Sequence, residues 1–196
     1  MDIFRFAIAV VLTMAIPAAL LFWFLIHPFV RFWRRLGTRL SYTVICSLLA
    51  AVMGGMFCLR DRLLANDWGL SWPLAALGAG CLAVSAWLKV RLSKELTVSV
   101  LVGVPELSPI SGGRLLRTGL YARMRHPRYV QMDFALTGSA LIANYPAVYI
   151  ALAIWFAGIY LVTLLEEREL RERFGDQYRE YCAQVPRFLP RLTRRP

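Results

Sequence analysis

Two polar segments, about forty residues apart, hold side chains that could bind a ligand or assist a reaction. The first is a basic run: Arg125, His126, Pro127, Arg128 and Tyr129. The second contains the adjacent pair Glu166 and Glu167. Pro127 suits the first turn of a helix, where the free backbone amides and nearby arginines favour an anion. The glutamates fall at a helix C-terminus, a poor place for negative charge, so we expect them to have hydrogen-bond donors as partners.

The chain between these segments is apolar. Residues 130–165 contain one charged residue, Asp133, and are too long for a single membrane crossing of roughly 20 residues. Pro146 breaks a helix, so we predict a short helix before Asn144 and a longer one after it. Such a hairpin returns both polar segments to the same membrane face. Asp133 should face the interior of the bundle, with Gln131 as a candidate partner.

The composition indicates an integral membrane protein. It is 58% hydrophobic, and residues 7–26, 41–59 and 68–88 contain no charge. With the hairpin, these runs predict five spans, and they lack the alternation of a β-barrel, so we expect helices. The predicted fold is all-α, with five transmembrane helices, the last two a hairpin, followed by a cytoplasmic amphipathic helix. The first span is longer than a signal-peptide core and is expected to be retained.

Charge predicts the orientation. Twenty of the 23 Lys and Arg residues follow the first, third or fifth span. Because basic loops stay cytoplasmic, the N-terminus is predicted outside and the C-terminus inside, in an inner or plasma membrane. The net charge of +11 then reflects a face that attracts anionic lipids. The chain shows no module typical of nucleic-acid binding, so we expect no nucleic-acid partner.

We treat the chain as one domain with four consecutive parts: spans in 1–88, a cytoplasmic loop in 89–129, the hairpin in 130–165 and a tail in 166–196. The tail shows a helical stripe of Leu170, Phe174, Tyr178, Tyr181 and Val185. This stripe fits a helix resting among lipid headgroups or a lid over a cofactor. His27, which ends the first span, is expected at the interface with its polar tip in water. The four cysteines are expected to be free thiols, and we expect no metal site.

Together these residues resemble a known signature. It consists of Gly119-x-Tyr121, Arg125-His126-Pro127-x-Tyr129, Glu166-Glu167, Phe174-Gly175-x-x-Tyr178-x-x-Tyr181 and Val185-Pro186. In this pattern the chain is similar to the isoprenylcysteine carboxyl methyltransferases and their phospholipid N-methyltransferase relatives. The resemblance covers roughly the C-terminal 85 residues.

The resemblance implies a methyltransferase that uses S-adenosylmethionine in a cytoplasm-facing pocket and a small or lipidic acceptor that enters from the bilayer. By position, it implies a pocket lined by Gly113, Arg114, Leu115, Leu116, Tyr121, His126, Pro127, Arg128, Tyr129 and Glu166. It names no catalytic residue.

Two positions depart from the family pattern. Val162 stands where prenylcysteine methyltransferases carry an arginine for the acceptor carboxylate, and Gln131 replaces a small residue. These departures leave the acceptor open. Two alternatives stay open as well: an NADPH-dependent sterol-type reductase, which shares the hairpin and tail, and a membrane protein that kept the fold without the chemistry.

Overall fold

The structure is a computed structural model that describes residues 2–93 and 115–189, apart from the side chains of Val30 and Arg34. The described residues form helices and connecting turns, with no strand. The helices are α1 (Asp2–Ile26), α2 (Val30–Leu36), α3 (Thr38–Cys58), α4 (Arg60–Leu63), α5 (Trp72–Leu92), α6 (Pro127–Ala143), α7 (Pro146–Phe174) and α8 (Asp176–Gln184), and a 3₁₀ turn covers Gly119–Ala122. The prediction of a helical protein is confirmed for this part of the chain.

Four of these helices, α1, α3, α5 and α7, are long and apolar enough to cross a membrane. The hairpin has the predicted break: α6 ends at Ala143, Asn144 adopts a left-handed conformation with φ of 57°, and Pro146 begins α7. Helix α6 has only 17 residues and is not among the four. The structure therefore shows an integral membrane protein with four candidate spans in the described residues, one fewer than the five predicted.

Helix α1 lies at the centre of the bundle, against α3, α6 and α7. Its apolar side chains, Leu12 and Ile16 among them, form one buried cluster with Trp155 and Ile159 of α7. Helix α5 packs mainly on α6, and the two cross closely at Gly78 and Gly138. A Cβ added to either glycine would lie 2.7 Å from the carbonyl oxygen of the other, so this crossing requires glycine at both positions.

One end of the bundle is joined by a buried arginine. Arg5, which is 2% exposed, donates from Nε to the carbonyl oxygen of Ala143 at 3.1 Å and pairs with Asp67 in the loop before α5. Tyr145 donates its hydroxyl to Asp67 at 3.1 Å, and Asn144 donates to the carbonyl oxygen of Gly69 at 2.8 Å. These bonds hold together the start of α1, the loop before α5 and the α6–α7 turn.

At the opposite end, the last turn of α1 contacts α6 and α7. His27 Nδ1 lies 3.1 Å from Glu169 Oε2, and its ring stacks on Trp23. His27 is only 8% exposed, so the prediction that its polar tip reaches water is wrong: its ring nitrogen contacts Glu169 of α7 inside the protein. The guanidinium of Arg128 lies 5.3 Å from the centre of the Trp23 ring. Helix α6 therefore runs alongside α1 from Trp23 at this end to Arg5 at the other.

Two polar side chains of α6 find partners inside the bundle. Asp133 accepts a 2.7 Å hydrogen bond from Nε1 of Trp155, on α7. Gln131 instead donates to the hydroxyl of Ser85, on α5, at 2.7 Å. Asp133 is thus bonded within the bundle, as expected of an intramembrane carboxyl group, but its partner is Trp155 and not Gln131.

Candidate functional site

The start of α6 lies beside the last third of α7, the hairpin's second helix, and this brings the two polar segments together. Pro127 occupies the first turn of α6, and His126 directly precedes it. The His126 ring stacks on Tyr129 at 5.6 Å between centroids, and the Tyr129 hydroxyl donates to Glu166 Oε2 at 2.9 Å. His126 Nδ1 lies 3.6 Å from the same Glu166 oxygen. Three predicted site residues, His126, Tyr129 and Glu166, therefore form one cluster.

The neighbouring Glu167, expected from the sequence to have hydrogen-bond donors as partners, organises the base of this cluster. It is fully buried, and a buried carboxylate is stable only when it is paired and hydrogen-bonded. Its nearest donors, by distance from a carboxylate oxygen, are Arg187 Nη2 at 2.8 Å, Arg125 Nη2 at 3.1 Å, His126 Nε2 at 3.2 Å and Arg171 Nη2 at 3.2 Å. The glutamates thus have different roles, since the Glu166 side chain keeps 29% of its surface exposed.

The C-terminal tail is docked on this site by both side chain and backbone. The amides of Arg125 and His126 donate to the carbonyl oxygens of Pro186 and Arg187 at 2.9 and 3.1 Å. The hydrogen bonds to Glu167 raise the pKa of Arg187. Phe188 then lies 5.9 Å from the His126 ring. The tail therefore covers one side of His126.

Helix α8 turns its aromatic stripe inward. Tyr178, Tyr181 and Val185 are at most 7% exposed and pack with Leu115, Leu170 and Phe174. The buried side chains of the stripe therefore pack against the protein. Tyr181 donates to the carbonyl oxygen of Tyr121 at 2.6 Å, and burial raises the pKa of Tyr181 to about 12.

The hydroxyl of Tyr178 is buried and has no hydrogen-bond partner among the described residues. Burial raises the pKa of Tyr178, and the negative charge of Glu167 raises it further. A buried hydroxyl without a partner carries a substantial desolvation cost. The Tyr178 hydroxyl is therefore a candidate hydrogen-bond partner for a bound ligand or for a residue outside the described part of the chain.

Four of the other predicted site residues have described positions away from the His126–Tyr129–Glu166 contacts. Leu115 packs on the α8 stripe, Leu116 is half-buried, and the Tyr121 carbonyl holds Tyr181. Arg128 extends over Trp23 on the α1 side. Gly113 and Arg114 lie outside the described residues.

Sequence reasoning missed Arg125 and Arg187 as partners of Glu167. The available signal was the excess of arginines over glutamates in the two motif segments, but this excess alone does not pair particular side chains. The pairing depends on the tail returning to the start of α6.

The bundle of apolar helices, with a His–Tyr–Glu cluster where α6 begins and α7 ends, defines an integral membrane protein with a polar site at one end. The family model for phospholipid methyltransferases matches residues 74–177, more than half of the chain, and the chain belongs to this family. The match includes α5, α6, α7 and the His126, Tyr129 and Glu166 cluster. Membership implies methyltransferase activity and confirms the resemblance drawn from the motifs.

One curated relative extends the similarity. The nickel-cobalt-cadmium resistance protein NccN of Alcaligenes xylosoxydans xylosoxydans is 28% identical over 129 residues, which is 65% of this chain and 56% of that protein. The chain thus spans about half the length of that relative. No solved structure matches the chain significantly.

Proposed function

We propose that the protein is an integral membrane methyltransferase that transfers the methyl group of S-adenosylmethionine to a small or lipidic acceptor entering from the bilayer. The observation that carries the proposal is the Tyr129–Glu166 hydrogen bond, 2.9 Å long, beside His126, which joins the start of α6 to the last third of α7. Family membership supplies the reaction class.

The chemistry of the residues fits the donor. Glu166 is ionisable and partly exposed, so it can accept hydrogen bonds from hydroxyl or ammonium groups, which the donor carries. The buried Tyr178 hydroxyl, without a partner among the described residues, offers a further polar contact. Aromatic rings near the site, such as Tyr129, can lie against a cation or a purine. Glu166, Tyr129, His126 and Tyr178 would hold the donor, which supplies an activated methyl group.

In this proposal the residues of the chain bind and orient the methyl donor and the acceptor, and methyl transfer requires little proton transfer from them. Glu167 can only accept, so the 3.2 Å contact assigns a proton to His126 Nε2. The Tyr129 hydroxyl orients Glu166, and the docked tail excludes water from one side of His126. Orienting the two reactants and excluding water from them are the main contributions of a protein to methyl transfer.

The proposed topology has five crossings: the four long apolar helices and, in addition, α6. Its 17 residues would span about 25 Å at 1.5 Å per residue. Support comes from its two ends, since Arg128 contacts Trp23 of α1 and the Ala143 carbonyl accepts from Arg5. Helix α6 thus covers the same depth as the span beside it. With five crossings and the basic loops inside, the site faces the cytoplasm and the N-terminus lies outside.

We propose that the acceptor group is not a carboxylate bound by an arginine, as it is in prenylcysteine methyltransferases. Val162 is fully buried in the core cluster shared by α1 and α7, so this position supports packing and supplies no positive charge. Arg187 already donates from Nε and Nη2 to Glu167, so these two donors are occupied. A neutral or amine-bearing acceptor agrees better with these contacts.

The test uses the full chain in lipid nanodiscs. Calorimetric titration with S-adenosylhomocysteine should show one site, whereas NADPH should give no heat. Radiolabelled S-adenosylmethionine should then transfer label to a bilayer lipid extract or to small amines. Absence of S-adenosylhomocysteine binding would contradict the proposal, and binding of NADPH alone would favour the reductase. Binding without any transfer would favour a protein that kept the fold and lost the chemistry.

A further inference from the structure

The segment between α1 and α3 presents an exposed surface that the methyltransferase site does not use. Helix α2 is seven residues long and ends at Gly37, whose φ of 83° suits glycine and turns the chain into α3. Trp33 anchors the helix inward: it is 7% exposed, packs with Ile26 and Ile45, and donates from Nε1 to the carbonyl oxygen of Leu25 at 2.7 Å. The opposite face of α2 is therefore fixed in direction.

The outward side of α2, opposite and beside Trp33, carries two adjacent rows of side chains. Arg31 and Arg35 form one row, and Phe32 and Leu36 form the other, each pair separated by one helical turn. All four are exposed, Phe32 by 53% and Leu36 by 36%. The face therefore combines a cationic edge with an apolar edge.

Neither arginine of this face has an ion-pair partner among the described residues. No acidic residue lies between Asp2 and Asp61 in the sequence, and Glu169 of α7, which reaches this end of the bundle, is held by His27. Arginines elsewhere at the same end are committed: Arg168 pairs with Glu172 and Arg179 with Asp176. Arg31 and Arg35 are thus placed to bind an external anion.

We propose that this face, Arg31, Phe32, Arg35 and Leu36, is a docking surface for anionic glycerophospholipids. Helix α2 joins two membrane helices, so it lies at the depth where hydrocarbon meets headgroups. Phe32 and Leu36 enter the acyl-chain region, and the two guanidinium groups reach the phosphates beside them. Arginine suits this partner because its planar fork binds phosphate oxygens in pairs. The surface goes beyond the proposed methyl transfer and does not depend on it.

The experiment titrates fluorescent short-chain phosphatidylglycerol into the full chain in a nonionic detergent, with phosphatidylcholine of the same chain length as the comparison. Each basic residue near an anionic lipid surface contributes about 1 kcal/mol, so R31Q/R35Q should weaken phosphatidylglycerol binding by roughly thirtyfold. R31K/R35K keeps the charge and should retain most of the affinity. The control R168Q/R179Q removes the same charge from ion-paired positions and should leave binding unchanged.

Three results would overturn the proposal: equal affinity of the wild type for the two lipids, an equal loss in the control variant, or equally tight binding of sn-glycerol 1-phosphate. The last result would indicate a site for a soluble anion instead of a lipid surface. The readout is lipid affinity without donor or acceptor, so failure of the methyltransferase proposal would leave this test unaffected.

Discussion

Arg187 meets Glu167 through two parallel hydrogen bonds, from Nε to Oε1 at 2.9 Å and from Nη2 to Oε2 at 2.8 Å. Arg187 belongs to the tail after α8, whereas Glu167 lies near the end of α7. The same carboxylate contacts His126. One buried charge therefore links the tail to the residue that begins the candidate site, and this link suggests how the site is kept closed.

The first prediction concerns the docking of the tail. R187Q should expose the amides of Arg125 and His126, which donate to Pro186 and Arg187. A hydrogen bond to a charged group contributes about 1.5–3 kcal/mol, so their hydrogen exchange should accelerate at least about tenfold. Exchange mass spectrometry on peptides containing these amides gives the measurement. R179Q, whose arginine has an exposed partner, is the control, and unchanged exchange in R187Q would refute the link.

The second prediction separates the two glutamates. E166Q should weaken S-adenosylhomocysteine binding about tenfold or more while leaving the melting temperature nearly unchanged, because Glu166 is partly exposed and lies at the ligand side. E172Q is the matched control, since Glu172 is exposed on the same helix and pairs only with Arg168 among the described residues. Calorimetry and thermal unfolding measure both quantities. Equal donor affinity in E166Q and E172Q would remove Glu166 from the site.

The third prediction concerns alkaline pH. Burial raises the pKa of Tyr181 to about 12, whereas an unfolded tyrosine has a pKa of about 10. The unfolded state therefore loses its proton first, and the contribution of Tyr181 to stability is full below pH 10 and is lost as the pH rises toward 12.

Melting temperatures between pH 9 and 12 test this dependence. They should fall less steeply in Y181F than in the wild type. Y160F, at a tyrosine that is 47% exposed, serves as the control. Parallel curves for the wild type and Y181F would contradict the prediction.

The fourth prediction tests the crossing of α5 and α6. G138A places a methyl group 2.7 Å from the carbonyl oxygen of Gly78, a backbone atom that cannot move aside cheaply. We expect a loss of about 1–3 kcal/mol in unfolding free energy, measured in detergent with denaturant. G80A is the control on α5, because a Cβ there meets no atom within 4 Å. A similar stability for both variants would mean that the helices are farther apart.

The membrane helices and the hairpin break could be predicted because local chemistry decides them. An uncharged run of about 20 residues satisfies its backbone only as a helix, and Pro146 ends one helix and begins the next whatever surrounds it. The proximity of His126 and Tyr129 to Glu166 could also be predicted from the sequence, because a helical hairpin returns its two ends to the same membrane face.

The partners of single side chains were harder to predict. His27 has the position of an interfacial residue, yet its ring nitrogen contacts Glu169 inside the protein. Asp133 could have bonded Gln131 in its own helix, but it accepts from Trp155 of α7, and Gln131 bonds Ser85 of α5. In each case the competing partner lies on another helix, so its distance depends on how the helices pack.

The sequence by itself determined a helical membrane protein of the phospholipid methyltransferase family, with its polar groups at the two ends of a hairpin. Hydrophobic run length, charge and motif spacing are local properties, and they suffice for these conclusions. Only the tertiary structure decided which glutamate is buried, which arginines neutralise it and how the tail closes over His126. A buried charge takes its partners from whichever segments the fold brings within about 3 Å, and sequence spacing does not encode that distance.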